Sequence, residues 1–199
     1  MNWREEDDIL ADICNERRDM DPDTLRQVIF LAVELAREGR EGRKVGTMFV
    51  VADAEATLKH STCLILDPLH GYSPEETRID NHNVRETVKE LAQLDGAFII
   101  SDDGAVLSAA RYINASSANI TLPLGLGSRH MAAASISRET NAIAVVVSES
   151  AVVRIFDDGE IIAEIIPELW LLRRYGLHLE GPYSTRHGEQ ITVASRTQE

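Results

Sequence analysis

The sequence predicts an α/β fold: a mixed, mostly antiparallel central sheet flanked by helices, with further helices at the N-terminus. Three observations predict it. A helix-spaced apolar stripe over 22–38 leads into the short, partly β-branched run Val45–Ala52, which reads as a buried strand. Two later pairs of apolar runs fold back across Asp-Asp-Gly turns at 102–104 and 157–159, as hairpins do. A helical segment lies between those hairpins, so strands and helices interleave and the sheet must be covered by helices.

Each element has its own signal. Residues 3–18 place Ile9, Leu10, Ile13 and Cys14 on one face of a short packing helix, with acids in its first turn. Asp21 caps the next helix, Pro22 suits its first position, Leu25, Val28, Ile29, Ala32, Leu35 and Ala36 form its stripe, and Gly39 ends it. After the charged loop Arg40–Lys44 and the strand at 45–52, a short strand is expected at 62–66, before a loop with Pro68, Gly71 and Pro74. Asn83 and Glu86 have capping-box spacing, and Val84, Val88 and Leu91 carry a helix to about Leu94. Strands follow at 96–100 and 106–113. Ser128 is placed to cap a helix through about Glu139, before strands at 142–148, 151–156 and 160–165. This divides the chain into an N-terminal helical segment (1–40), a core domain (41–166) and a C-terminal appendage (167–199), read as polar and irregular after Trp170, Leu171 and Leu172. No internal repeat is visible.

Composition narrows the function. The 199 residues carry 20 Lys+Arg against 33 Asp+Glu, a net charge of −13. Such a chain repels polyanions except where cations are gathered, so binding to nucleic acid polymers is not expected. The longest apolar runs fall well short of the ~20 residues a membrane span needs. The acidic start Met1–Asp8 is unlike a secretory signal. Cys14 and Cys63 form neither a spaced metal pair nor a disulfide framework, and are read as reduced, mostly buried thiols of a cytoplasmic protein.

Three segments carry possible chemistry. Leu124-Gly125-Leu126-Gly127-Ser128-Arg129-His130 opens a helix. Its glycines permit close backbone approach, and Arg129 and His130 sit in a first turn whose free N–H groups suit an anion. The same residues also describe an ordinary capped helix, and neither common phosphate loop is spelled out. Asp95-Gly96-Ala97, at a helix-to-strand junction, offers a carboxylate beside small residues for a divalent ion or a ribose hydroxyl; Asp-Gly is equally a plain turn. Val147-Ser148-Glu149-Ser150 ends a buried strand with hydroxyls and one carboxylate, at an edge where α/β sheets place ligands, or is simply a polar turn. The six histidines form no zinc motif, and Ser128, Ser135 and Ser137 lack a nucleophile elbow. Asp102, Asp103, Asp157 and Asp158 are hairpin-turn acids.

Together the three segments resemble the diadenylate cyclase domain family (DAC, DisA_N-type), whose hallmarks are D-G-A, G-[TS]-R-H-R and V-S-E-E motifs. Here they read Asp95-Gly96-Ala97, Gly127-Ser128-Arg129-His130 and Val147-Ser148-Glu149, and the stretch Glu86–Leu94 is most similar to the archaeal-type cyclic di-AMP synthase branch. The resemblance implies condensation of two ATP into cyclic di-AMP with release of two pyrophosphates. It implies a homo-oligomer, at least a dimer, in which two domains meet face to face, and a divalent ion, Mg²⁺ or Mn²⁺. Carried over by motif, Asp95, Arg129 and His130 are the catalytic residues, and Asp95 and Glu149 hold the metal. Gly96 and Ala97 lie at the sugar; Gly127, Ser128, Arg129, His130, Ser148 and Glu149 surround the phosphates; Tyr112 flanks the adenine.

Two positions depart from the family pattern. Met131 stands where it has a second Arg and Ser150 where it has a second Glu. Met131 cannot donate to a phosphate, so a catalytically degenerate ATP- or cyclic di-AMP-binding module is the alternative reading, with Arg111 or Arg138 as candidate substitutes for the missing cation.

Overall fold

The computed structural model describes residues 10, 13, 14, 20–114, 116, 120–167, 183–187 and 192–196. Most of the expected helix at 3–18, and residues 168–182, lie outside them. The chain divides into two units, Met1–Ile165 and Ile166–Glu199.

Helix α1 (Pro22–Glu38) follows its sequence signals: the Asp21 carboxylate accepts from the Asp23 N–H at 2.9 Å, and Gly39 turns the chain out with φ 61°. Its whole apolar stripe is buried. Strand β1 (Thr47–Val51) follows, and then helix α2 (Ala54–Lys59), which the sequence reading did not include. It is too short for an apolar stripe and starts from two left-handed residues, Ala52 and Asp53. Strand β2 (Ser61–Cys63) is shorter than expected because the chain turns outward at once, leaving Leu66 94% exposed. Helix α3 (His82–Leu91) is capped by Asn81, whose side chain accepts from the Asn83 N–H at 2.9 Å. The capping box expected at Asn83 and Glu86 is therefore not formed, and Glu86 is spent on Arg40 and Lys89 instead.

Strands β3 (Ala97–Ile100) and β4 (Val106–Ile113) form the first hairpin. Helix α4 (Ser128–Glu139) has Gly127 at its cap position with no side-chain bond, which corrects the expected Ser128 cap. Strands β5 (Ile143–Val147), β6 (Val153–Asp157) and β7 (Glu160–Ile165) complete a seven-stranded sheet of order β2-β4-β3-β1-β5-β6-β7. β6 starts later than expected because Ser148–Ala151 closes a tight turn, with Ala151 at φ 63°. Only β1 and β3 run parallel; every other neighbouring pair is antiparallel.

β1 and β5 are buried along their whole length. Met48, Val50, Ala144 and Val146 share one face with Ala133, Ala134 and Ile136 of α4. The alternate residues, including Phe49 and Val145, point to the other face, where α1 packs against β5 and Phe49 stacks on Phe98 at 5.2 Å. A central sheet under two helical layers needs such doubly buried strands, and burying each large side chain contributes about 1.5–3 kcal/mol.

In the second unit, β8 (Tyr183–His187) and β9 (Thr192–Arg196) pair antiparallel. These residues belong to the appendage expected to be polar, irregular and only partly ordered, and here they form regular strands. Both strands are short and mostly polar, so no apolar run announces them.

Candidate nucleotide site

The three motifs reach one cavity from three directions. Asp95 and Gly96 come from the α3–β3 junction, Gly127 to Met131 from the start of α4, and Ser148 to Ser150 from the β5–β6 turn. The cavity has a volume of about 670 Å³, and Met48, Leu64, Tyr112 and Ile113 supply its apolar walls.

Each motif is held by its backbone. Gly96 sits at φ 108°, and a Cβ there would be 2.8 Å from both the Ala110 carbonyl carbon and the Arg111 nitrogen. The β-bulge at Ala110, itself at φ 52°, presses against this glycine, so residue 96 must lack a side chain. Ala97, expected beside the sugar, does not line the cavity: it is fully buried in the core cluster with Met48 and Ile113, because it is the first residue of β3 and its side chain packs into the sheet core. At α4, Gly127 supplies no side-chain cap to the first turn, and Ser128, Arg129 and His130 of that turn line the cavity. Ser148 accepts from the Ser150 N–H at 3.1 Å, which tightens the β5–β6 turn and presents Glu149.

Asp95 and Arg129 meet: Arg129 Nη2 lies 3.3 Å from Asp95 Oδ1, which also accepts from the Gly96 N–H at 2.9 Å. The Asp95 side chain is 81% exposed, so this ion pair is weak and the carboxylate is available to a ligand. His130 is buried, with Nε2 3.2 Å from Arg154 Nη1 and Nδ1 without a partner among the described residues. Burial, then the positive charges of Arg154 and Arg129, push its imidazole below the ordinary histidine range, against the opposing Glu164. Tyr112 is 56% exposed at the cavity wall.

Two contributors escape the sequence reading. Gly46, just before β1, lies under Arg129 and Glu149: a Cβ there would be 2.6 Å from Arg129 Nη1 and 3.2 Å from Glu149 Cγ. A Gly preceding an apolar strand is the only signal it gives. Arg154, from β6, lines the cavity beside His130 while its Nε donates to Glu164 at 2.5 Å. Neither cation suggested from the sequence stands beside His130 in this way. Arg111 lines the cavity but spends its guanidinium on Ser61, Leu58 and Cys63, and Arg138 packs over Gly159. Cys63 is exposed, unlike the buried thiol expected; Cys14 is buried and its thiol is pushed up to about 11 by burial.

The family model described as DisA bacterial checkpoint controller nucleotide-binding (DAC) matches residues 34–161. The chain belongs to that family. The matched stretch of the DAC chain contains every motif residue around the cavity. The chain is 49% identical over 150 residues to a diadenylate cyclase of Methanocaldococcus jannaschii, covering 75% of this chain and 47% of the relative. It is 41% identical over 151 residues to a diadenylate cyclase of Haloferax volcanii, covering 75% of this chain and 55% of the relative. The DAC chain thus spans about half the length of the curated relatives it matches. Its fold is shared with a hypothetical membrane spanning protein from Bacillus cereus, at a TM-score of 0.52 and 19% identity over 69% of this chain and 61% of that one. Among the described residues no helix is long and apolar enough to cross a membrane.

Proposed function

We propose that this DAC chain is a diadenylate cyclase that condenses two ATP into cyclic di-AMP and two pyrophosphates across a face-to-face dimer, with residues 41–166 as the catalytic domain and 1–40 and 167–199 as its flanking segments. The observation that carries this reading is the convergence of Asp95, the Arg129–His130 turn and the Ser148–Glu149 turn on one open cavity.

The reaction needs alignment and charge control more than covalent chemistry. Each ribose 3′-oxygen bonds to the α-phosphorus of the other nucleotide, the bond from that phosphorus to pyrophosphate breaks, and the hydroxyl proton leaves. Asp95 is the group assigned to orient the hydroxyl and receive its proton. One of its oxygens is engaged by Arg129 and the Gly96 N–H, which leaves the other to face the ligand. Arg129, Ser128 and the first-turn N–H groups of α4 bind the α-phosphate, and they bind more strongly as charge gathers on phosphorus. His130, kept neutral, positions the phosphate-facing Arg154 without adding a titrating charge. Tyr112 stacks on adenine. Holding two nucleotides in line converts their encounter into an effectively intramolecular step, worth up to ~7–11 kcal/mol.

Asp95 and Glu149 are hard oxygen donors on the same cavity walls, and among the described residues no third His, Cys, Asp or Glu joins them. Two carboxylates with phosphate oxygens completing the shell suit Mg²⁺ or Mn²⁺ carried in with a nucleotide. When bound, such an ion neutralises phosphate charge. The exposed Leu64 and Tyr112 at the cavity wall and the exposed Leu124 beside Gly125 give an apolar rim suited to a twin copy.

The test is incubation of the protein with ATP and Mn²⁺, with product identified by mass spectrometry. Cyclic di-AMP is expected, and none from Asp95→Ala. Tight ATP binding without pyrophosphate release would favour the binding-module alternative, since both departures, Met131 and Ser150, line the cavity.

A further inference from the structure

Beside the nucleotide cavity lies a second one, of about 350 Å³, walled by Arg40, Arg43 and Lys44 and sharing Asp95, Arg129 and Glu149 with the first. We propose that it is a polyphosphate subsite, which holds the β- and γ-phosphates of ATP while the α-phosphate lies at Arg129, and then holds the pyrophosphate as it leaves. The inference rests on the nucleotide reading of the larger cavity and adds three cations that reading does not use.

Charge is the first argument. In a chain of net charge −13, the second cavity gathers three cations besides Arg129 against two carboxylates. A polyanionic group can approach this acidic protein only at such a place. The larger cavity, with Met48, Leu64, Tyr112 and Ile113, suits a nucleoside; the smaller suits the tail.

The second argument is preorganisation. Arg40 and Arg43 exchange backbone hydrogen bonds of 2.9 and 2.8 Å across a tight turn whose corner residues, Glu41 and Gly42, have φ 49° and 74°. Arg40 Nη2 is tied to α3 through Glu86 at 2.9 Å and Glu90 at 3.1 Å, and its Nε is buried without a partner among the described residues. Those carboxylates offset much of the Arg40 charge, so Arg43 and Lys44 are the principal tail ligands. Both are exposed, and neither has an ion-pair partner among the described residues. Two residues beyond Lys44, Gly46 passes under Arg129, so one short segment joins the two cavities.

The experiment compares ATP, AMP and inorganic pyrophosphate by calorimetry on the full chain, wild type against R43Q/K44Q, with R43K/K44R as the charge-preserving control. Because charge-assisted bonds to phosphate are lost, ATP and pyrophosphate affinity should fall about tenfold or more per cation removed, while AMP affinity stays within about twofold. R43K/K44R should retain ATP binding. Unchanged ATP and pyrophosphate binding in R43Q/K44Q overturns the subsite and leaves the nucleotide site standing. Equal losses of ATP and AMP affinity also overturn it, because a tail subsite is indifferent to a nucleotide without a tail. Failure of the wild type to bind either nucleotide overturns both readings.

Discussion

The Arg129 guanidinium lies across Gly46 so closely that a Cβ at residue 46 would stand 2.6 Å from its Nη1. The glycine is the floor on which the Arg129 side chain rests. Gly46→Ala must displace the end of a flexible side chain rather than any backbone, so the fold should survive with a thermal midpoint within a few degrees of wild type, about 1 kcal/mol or less. Cyclic di-AMP formation should fall at least about tenfold, since an ångström of misplacement at a reacting centre is costly. Activity equal to wild type would show that Arg129 does not need this position.

Gly96 makes the opposite prediction. Its Cβ would meet backbone, 2.8 Å from Ala110 C and Arg111 N, at a φ of 108° that L residues avoid. Gly96→Ala should destabilise the core by about 2–4 kcal/mol, through strain together with displacement of β4. Urea unfolding of the variant measures this directly. An unchanged midpoint would mean that the bulge at Ala110 yields freely.

These two glycines also show what a sequence discloses. Gly96 is legible because it lies inside a three-residue motif, whereas Gly46 matters only through Arg129 and Glu149, which approach it from other elements. The same division runs through the fold. Asp21, Pro22 and Gly39 mark α1 because caps act within a few residues, and the Asp-Asp-Gly turns mark both hairpins for the same reason. The α3 cap is Asn81 rather than Asn83 although both asparagines offer the same chemistry, and the choice between them is settled when Arg40 and Lys89 claim Glu86. Helix α2 and the ribbon β8–β9 carry no apolar periodicity to read. Arg154 is as illegible as Gly46, and for a similar reason: it reaches the cavity from a strand whose own sequence alternates like any other, and only the antiparallel pairing with β5 brings it there.

The low pKa of His130 has a consequence for stability. An unfolded imidazole titrates near 6.5, whereas the folded one is held lower by burial and by Arg154 and Arg129. Between the two values the unfolded state binds more protons, so stability rises with pH there. The penalty is absent above about 6.5 and grows as pH falls through the unfolded value toward the folded one. Urea midpoints from pH 8 to pH 5 should therefore decline more steeply for wild type than for His130→Gln. Parallel curves would place the His130 titration at its ordinary value.

Arg154 gives the sharpest separation of role from scaffold. Its Nη1 lies 3.2 Å from His130 Nε2, its Nε is held by Glu164, and it lines the cavity in which Met131 supplies no charge. If it is the second phosphate-facing cation, Arg154→Met should raise the KM for ATP by about tenfold, the effect of one charge-assisted hydrogen bond. The same variant removes a positive neighbour from His130, so its imidazole should titrate higher, and the His130 proton resonance followed by NMR against pH reads this without any substrate. Arg154→Lys should keep most of the ATP affinity while losing the planar fork. A raised His130 titration with an unchanged KM would assign Arg154 to holding the histidine alone, and the cavity would then bind phosphate through Arg129 and the N-terminus of α4.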